Sequence, residues 1–254
     1  MLLHRKKCIS KIVEFSNLLL LFKNDLLILG SSKILVTTGY NGEYLNDTEI
    51  IALSGDCLAS LPNYPKQLQG ATGQILDDKV IICGGYPTTN ECFSLENGFT
   101  SFERITPMKE AKYYVKSAVT QGRIWITGGF DGTTLYSSTE YIPESSTSEP
   151  SLPEPLYGHA IVSINDTTSM LIGGWTNSNS YSPKTRYFIH QSQTWIHGPR
   201  LINRRGDHIA GLITDRVTNS QHIAVVGGTG YGFAILDTVE ILFNGETQWK
   251  EGRY

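Results

Sequence analysis

Five short apolar runs that stop at glycine, spaced almost evenly along the chain, leave few folds open to it. They are ILVTTGY (Ile34–Tyr40), VIICGGY (Val80–Tyr86), IWITGGF (Ile124–Phe130), MLIGGW (Met170–Trp175) and IAVVGGTGY (Ile223–Tyr231). β-Branched runs cut by glycine read as short buried strands that end in a tight turn. Their last glycines stand at 39, 85, 129, 174 and 228, so the intervals are 46, 44, 45 and 54 residues. One supersecondary unit of roughly 45–50 residues therefore recurs, a period found among propeller blades. The longer last interval is taken up by DRVTNSQ (Asp215–Gln221), a polar connection expected as an exposed turn.

Each later run is preceded by a partner strand: GATGQIL (Gly70–Leu76), YYVKSAV (Tyr113–Val119), GHAIVSI (Gly158–Ile164) and HIAGLIT (His208–Thr214). Turns such as Asp77-Asp78 and Gln121-Gly122 join the pairs, the grammar of a hairpin. Downstream comes a strand carrying a glutamate, in NDTEIIAL (Asn46–Leu53), TNECFSL (Thr89–Leu95), SSTEYI (Ser137–Ile142) and DTVEILF (Asp237–Phe243). The pattern predicts four antiparallel strands per unit, each sheet buried against its neighbours. Glu49, Glu91, Glu140 and Glu240 are read as one repeated structural position. A residue found once per unit serves the unit; a general acid and base would need two carboxylates in different environments.

The order of hydrophobic strand, glycine doublet, variable loop, glutamate strand and closing tryptophan resembles kelch repeats. Tyr187…Trp195 and Phe243…Trp249 keep the aromatic-to-tryptophan end, which the second and third units lack. Thr38 replaces the first glycine of the first doublet, and Arg186 stands where unit four should carry glutamate. The resemblance covers about residues 24–254 and implies an all-β fold, a kelch-type β-propeller with five recognisable four-stranded blades. An incomplete six-bladed propeller is the alternative. Residues 1–23 form a separate N-terminal segment, either leading into the propeller or adding strands to a terminal blade. PESSTSEPSLPEP (Pro143–Pro155) reads as a loop with a poor outer strand, because the period runs through it without a jump.

Charge excludes one class of partner: the net charge is −3 and no basic run or basic-aromatic stripe occurs, so no nucleic-acid footprint is present. Membrane insertion is not expected, since NLLLLF (Asn17–Phe22) is too short to span a bilayer. With MLLHRKK before it, that run has the outline of a secretion signal, but it is interrupted and no small-residue cleavage site follows.

Four cysteines occur, Cys8, Cys57, Cys83 and Cys92. Cys83 falls where sister units carry Thr127, Ile172 and Val226, and Cys92 is placed where Tyr141 and Ile241 stand, which suits buried free thiols. LPNYPKQLQGATG…VIICGG…CF and LPEPLYGHAIVSIN also resemble secreted kelch-repeat proteins of arthropods. That resemblance implies a disulfide among Cys57, Cys83 and Cys92, with Cys83–Cys92 preferred if the protein is extracellular and Cys57 as the competing partner. Two sequons, Asn46-Asp47-Thr48 and Asn165-Asp166-Thr167, are compatible with export. Cytoplasmic and secreted locations both remain open.

Lookalikes of catalytic motifs do not hold. VVGGTGYGFA (Val225–Ala234) imitates a dinucleotide-binding opening, but the next element is a strand where a helix is required. The histidines at 4, 159, 190, 197, 208 and 222 show no zinc-binding spacing, and no G-x-S-x-G elbow occurs. No cofactor, metal or catalytic residue is assigned.

The kelch resemblance implies a non-catalytic module that presents loops on one face to a protein or peptide partner. Such modules serve as substrate receptors of cullin-type ubiquitin ligases or as actin-associated proteins; no BTB or BACK domain is found in this sequence. The alternative is a propeller enzyme of the copper oxidase or sugar isomerase kind. Tyr40, Tyr86, Phe130 and Trp175 directly follow a doublet, with Tyr231 two residues late in the fifth unit. Either these rings brace their own loops or, with Asn41, Glu43, Asp131 and Asn177 beside them, they line a shallow mouth. Lys112, Tyr157, Arg204 and Arg205 on the adjoining connections would complete a mixed-charge rim.

Overall fold

The computed structural model describes residues 25–29, 33–52, 57–96, 100–143, 150–176 and 180–252. Among them regular structure is all-β, apart from one 3-10 turn at Tyr231–Phe233. The chain divides into two compact units between Tyr113 and Tyr114. In the first, β1 (Asp25–Leu29), β2 (Lys33–Tyr40), β3 (Tyr44–Ala52) and β4 (Cys57–Ser60) form one sheet. A second sheet follows from β5 (Thr72–Leu76), β6 (Lys79–Cys83), β7 (Cys92–Leu95) and β8 (Phe102–Ile105).

The second unit holds a third sheet, β9 (Lys116–Thr120), β10 (Arg123–Thr127) and β11 (Thr139–Ile142). Its fourth sheet is β12 (Ala160–Asn165), β13 (Thr168–Ile172), β14 (Thr185–Ile189) and β15 (Thr194–His197). The fifth is β16 (Ile209–Thr214), β17 (Gln221–Val226), β18 (Val239–Leu242) and β19 (Lys250–Gly252). Strands neighbour one another in chain order, and all pairs are antiparallel. The third sheet has three strands where four are expected; residues 144–149 of the Ser/Pro/Glu-rich stretch, like residues 1–23, lie outside the described residues.

Local chemistry sets the strand ends. Asp77-Asp78 and Gln121-Gly122 take positive φ at both positions (50° and 60°; 51° and 67°), as two-residue hairpin turns of matching twist require. At the third doublet Gly128 has φ 61° and Gly129 φ 107°, and a Cβ on Gly128 would lie 2.4 Å from the Leu156 carbonyl oxygen. Only glycine fits there without strain. Thr38, in the first doublet, adopts the same left-handed backbone at φ 55° despite its branched side chain. The partner strands start one to three residues later than the apolar pattern predicts. The reason is a left-handed residue just ahead of each, Gly70, Tyr114, Gly158 or Asp207, which breaks the extended run.

Equivalent hydrogen bonds recur from sheet to sheet. The second doublet residue donates its N–H to a carbonyl of the following connection: Gly39 to Leu68 (2.7 Å), Gly85 to Lys112 (3.0 Å), Gly129 to Leu156 (2.8 Å) and Gly174 to Arg205 (2.8 Å). They place Leu68, Lys112, Leu156 and Arg205 at one position. Strand pairing does the same for the glutamates. Glu49 faces Val36, Glu140 faces Ile126 and Glu240 faces Val225, while Arg186 faces Leu171 and Phe93 faces Ile82. Glu91 is therefore not the fourth repeated glutamate: it lies two residues earlier, paired to Lys66 and, at 3.0 Å, to Arg104, and Phe93 fills the inward place.

The same register corrects Cys92. It stands opposite Cys83 in the position of Thr48, Thr139, Thr185 and Val239, not of Tyr141 and Ile241. The two cysteines are joined as a disulfide across adjacent strands, with Cα atoms 4.1 Å apart. In the first sheet the same cross-strand place is held by a hydrogen bond of 2.9 Å between the hydroxyls of Thr37 and Thr48.

In the first unit Leu35, Ile50, Tyr64, Leu68, Val80, Ile82, Phe93 and Leu95 pack in one core. In the second unit the described residues form two further clusters. One gathers Trp125, Tyr141, Leu152, Leu156, Ile161, Leu171 and Phe188 from the third and fourth sheets; the other gathers Met170, Ile172, Leu201, Val225, Leu242 and Trp249 from the fourth and fifth. Full burial of a ring such as Trp125 contributes about 3 kcal/mol. Two tryptophans clip neighbouring sheets together: Trp195 donates its indole N–H to the Ser151 carbonyl (2.9 Å) and Trp249 to that of Pro199 (2.9 Å).

Candidate aromatic binding surface

In the second unit two of the rings that follow the doublets are joined through a third ring. Tyr157 stacks between Phe130 (5.5 Å, 22°) and Trp175 (5.8 Å, 11°). The backbone builds this register, because Tyr157 and Trp175 exchange N–H···O bonds of 3.3 and 2.8 Å. Trp175 in turn touches Tyr181 at 4.1 Å and Phe233 at 5.6 Å between centroids. Ring contacts of this kind add about 0.5–1.5 kcal/mol each beyond burial.

This row ends in a cleft of about 140 Å³ lined by Trp175, Ser180, Tyr181, Arg204, Tyr231, Gly232 and Phe233. Its floor and wall differ. Trp175 is 7% exposed, whereas Tyr231 and Phe233 are 84% and 69% exposed. The wall is the 3-10 turn, closed by Gly230 N–H to the Ala234 carbonyl (2.8 Å) and Phe233 N–H to the Gly230 carbonyl (3.1 Å). Phe233 sits at φ 62°, a conformation that bulky residues avoid and that concentrates at functional sites. Arg204 is exposed at the rim and has no ion-pair partner among the described residues. Burial raises the Tyr181 phenol above its ordinary range, keeping it neutral.

The first unit has its own row: Tyr40 meets Tyr44 (5.3 Å), Tyr44 meets Tyr86 (5.6 Å) and Tyr86 meets Tyr113 (5.1 Å). Tyr40 and Tyr86 keep more than a third of their surface exposed. Asn41 and Glu43 form a local turn, with Glu43 N–H donating to Asn41 Oδ1 at 3.3 Å.

Several candidates serve the fold instead. Lys112 and Arg205 are buried and cannot belong to a rim: Lys112 Nζ lies 3.1 Å from Glu110 Oε2, and Arg205 is paired at 2.6 Å with Glu240, both wholly buried. The connection exposes residue 204 and turns residue 205 inward. Glu240 also accepts the N–H groups of Ile202 (2.7 Å) and Asn203 (2.9 Å), and Arg205 donates to the carbonyl of Gly227 (2.7 Å) and the hydroxyl of Thr238 (3.0 Å).

Asp131 braces its own loop. Its Oδ1 accepts from Thr134 N–H and Thr133 N–H (2.7 Å each) and the Thr133 hydroxyl (2.8 Å), and its Oδ2 from the Tyr136 hydroxyl (2.9 Å). These bonds hold the carboxyl well below the usual carboxylate range. Asn177 lies outside the described residues, and Cys57 falls on β4.

Tyr44, Tyr113, Tyr181 and Phe233 belong to the rows although only the doublet aromatics point to them in the sequence. The usable signal for Phe233 is Gly-Tyr-Gly-Phe after a doublet, a turn rich in positive φ.

His159 and His208 are buried in the second unit. His159 Nε2 lies 2.8 Å from the Thr127 hydroxyl, which itself donates to the Lys116 carbonyl, so the ring donates from Nε2. His159 and His208 lie against the first glycines of doublets, where Cβ atoms on Gly128 and Gly173 would come within 2.8 Å of their rings. Among the described residues no group of three His, Cys, Asp or Glu side chains could hold a metal ion. Nor is any helix there long and apolar enough to cross a membrane. The chain matches no protein-family model and no curated protein.

Proposed function

We propose that this chain is a kelch-type β-propeller built from its five sheets, working as a non-catalytic module that captures a protein segment on the cleft beside Trp175. The recurrent doublet hydrogen bonds and the tryptophan clips support the architecture. One observation carries the function: a strained turn holds Tyr231 and Phe233 out in solvent beside a buried tryptophan, with a cation at the rim. Exposed rings grouped around one cleft, unlike apolar residues scattered singly over a surface, mark an interaction site. Aromatic and arginine anchors around a small pocket are the composition of a binding hot spot.

The chemistry selects the partner. Stacked rings take a proline or aliphatic side chain, and Arg204 takes a carboxylate. The ligand is an extended acidic peptide segment. Of the roles that the kelch resemblance implies, one in an oxidising compartment fits the Cys83–Cys92 disulfide better than a cytoplasmic ligase or actin role. The test is selection of displayed random peptides on the full chain. Enrichment of segments joining an acidic residue to a proline or aliphatic residue, lost in Arg204→Ala, is expected; no enrichment, or enrichment indifferent to that change, refutes the reading.

A further inference from the structure

The two sequons meet opposite fates in the fold. Asn165 ends β12 and Thr167 lies in the two-residue turn Asp166-Thr167 that joins it to β13. All three sequon residues are exposed. A bulge between Ser163 and Asn165 shifts the register, so that Ile164 packs against the core and Asn165 emerges at the hairpin tip. There Asn165 Oδ1 accepts the Thr167 N–H (2.9 Å) and the Thr167 hydroxyl (2.8 Å). The amide oxygen is fully used. Its nitrogen, Nδ2, has no partner among the described residues and faces solvent.

Asn46 is set within β3, where its carbonyl accepts the Tyr64 N–H (2.8 Å) and its Oδ1 lies 3.4 Å from Asn63 Nδ2. The hydroxyl of Thr48, the residue that completes this sequon, is buried against Thr37. A bulky glycan on the tip of a solvent-facing hairpin costs the fold nothing, whereas one on Asn46 would crowd the connection through Asn63 and Tyr64. The Cys83–Cys92 disulfide points independently to the compartment in which such acceptors are used.

We infer that Asn165 is an N-glycosylation site of this protein and that Asn46 is not. In the transfer Asn165 Nδ2 attacks the anomeric carbon of a polyprenyl-diphosphate-linked oligosaccharide. The new bond is carbon–nitrogen; the anomeric carbon–oxygen bond breaks, the polyprenyl diphosphate leaves with the electron pair, and one amide proton passes to a base of the transferase.

The experiment expresses the full chain behind a cleavable secretion leader in cultured animal cells. Glycan release by an amidase in heavy-oxygen water then marks each occupied asparagine for mass mapping. The secreted chain is expected to carry one glycan, at Asn165. Asn165→Gln and Thr167→Ala abolish it, Thr167→Ser keeps it, and Asn46→Gln changes nothing. Two outcomes overturn the inference: an unmodified Asn165 or a glycan on Asn46.

Discussion

The second and fifth sheets solve the same three packing problems with different chemistry. At the inward strand position the second sheet has Phe93, in one core with Leu68 of the preceding connection; the fifth has Glu240, ion-paired to Arg205 at the equivalent place. The connection changes to match. Glu240 must accept the Ile202 N–H, and the residue equivalent to Ile202 in the second sheet is Pro65, which has no N–H to satisfy. In the fourth sheet, where Arg186 cannot accept either, that place is again a proline, Pro153. Beside the doublet, the second sheet crosslinks Cys83 to Cys92 where the fifth sets Val226 against Val239. Ahead of the inner strand, Ala71 stands where the fifth sheet has His208. The fold thus demands a filled position rather than a particular residue.

Breaking the ion pair gives the largest effect. Arg205→Ala or Glu240→Ala strands a buried charge, and a loss of about 3–5 kcal/mol in unfolding free energy is expected by denaturant titration. Acid comes next. Burial, reinforced by the charge of Lys116, lowers His159 to about 3, and burial with Arg205 nearby holds His208 well below its usual range. Between about pH 6.5 and 3 the unfolded chain binds protons that the native second unit refuses, so stability is full above that window and falls as pH drops through it.

His159 alone should cost about 2 kcal/mol at pH 5, and His159→Val should remove that share of the dependence and leave the share of His208. Reducing Cys83–Cys92, or replacing both by threonine as in the first sheet, should cost about 2 kcal/mol, read by the same titration. The smallest effect is expected from the sharpest comparison. Moving the second-sheet solution into the fifth, Ile202→Pro with Arg205→Leu and Glu240→Phe, should restore stability to within roughly 1.5 kcal/mol of the parent, far above either single alanine variant.

The strands were legible because β-branched runs and glycine doublets report directly on local backbone. Register was not. The doublet loops differ in length, so aligning the units on their glutamates put Glu91 and Cys92 two residues out of place, and only the pairing of Ile82 with Phe93 corrects them. Pro65 and Pro153 were the overlooked signal, since a missing N–H marks the sheets without an inward glutamate. Arg204 and Arg205 are indistinguishable as neighbouring residues; a single backbone step decides which is rim and which is core. Phe233 escaped notice because its packing on Trp175 depends on a left-handed turn that composition does not announce.

The decisive measurement pairs melting temperature with peptide affinity for the Tyr231→Ala/Phe233→Ala variant, using peptides selected on the parent chain. Both rings are largely exposed and only Phe233 packs on Trp175, so the account predicts a melting temperature lowered by no more than about 4 °C with affinity reduced at least tenfold, as loss of a hot spot requires. A lowered melting temperature with full affinity in the folded fraction would contradict it, leaving these rings as braces of their own turn.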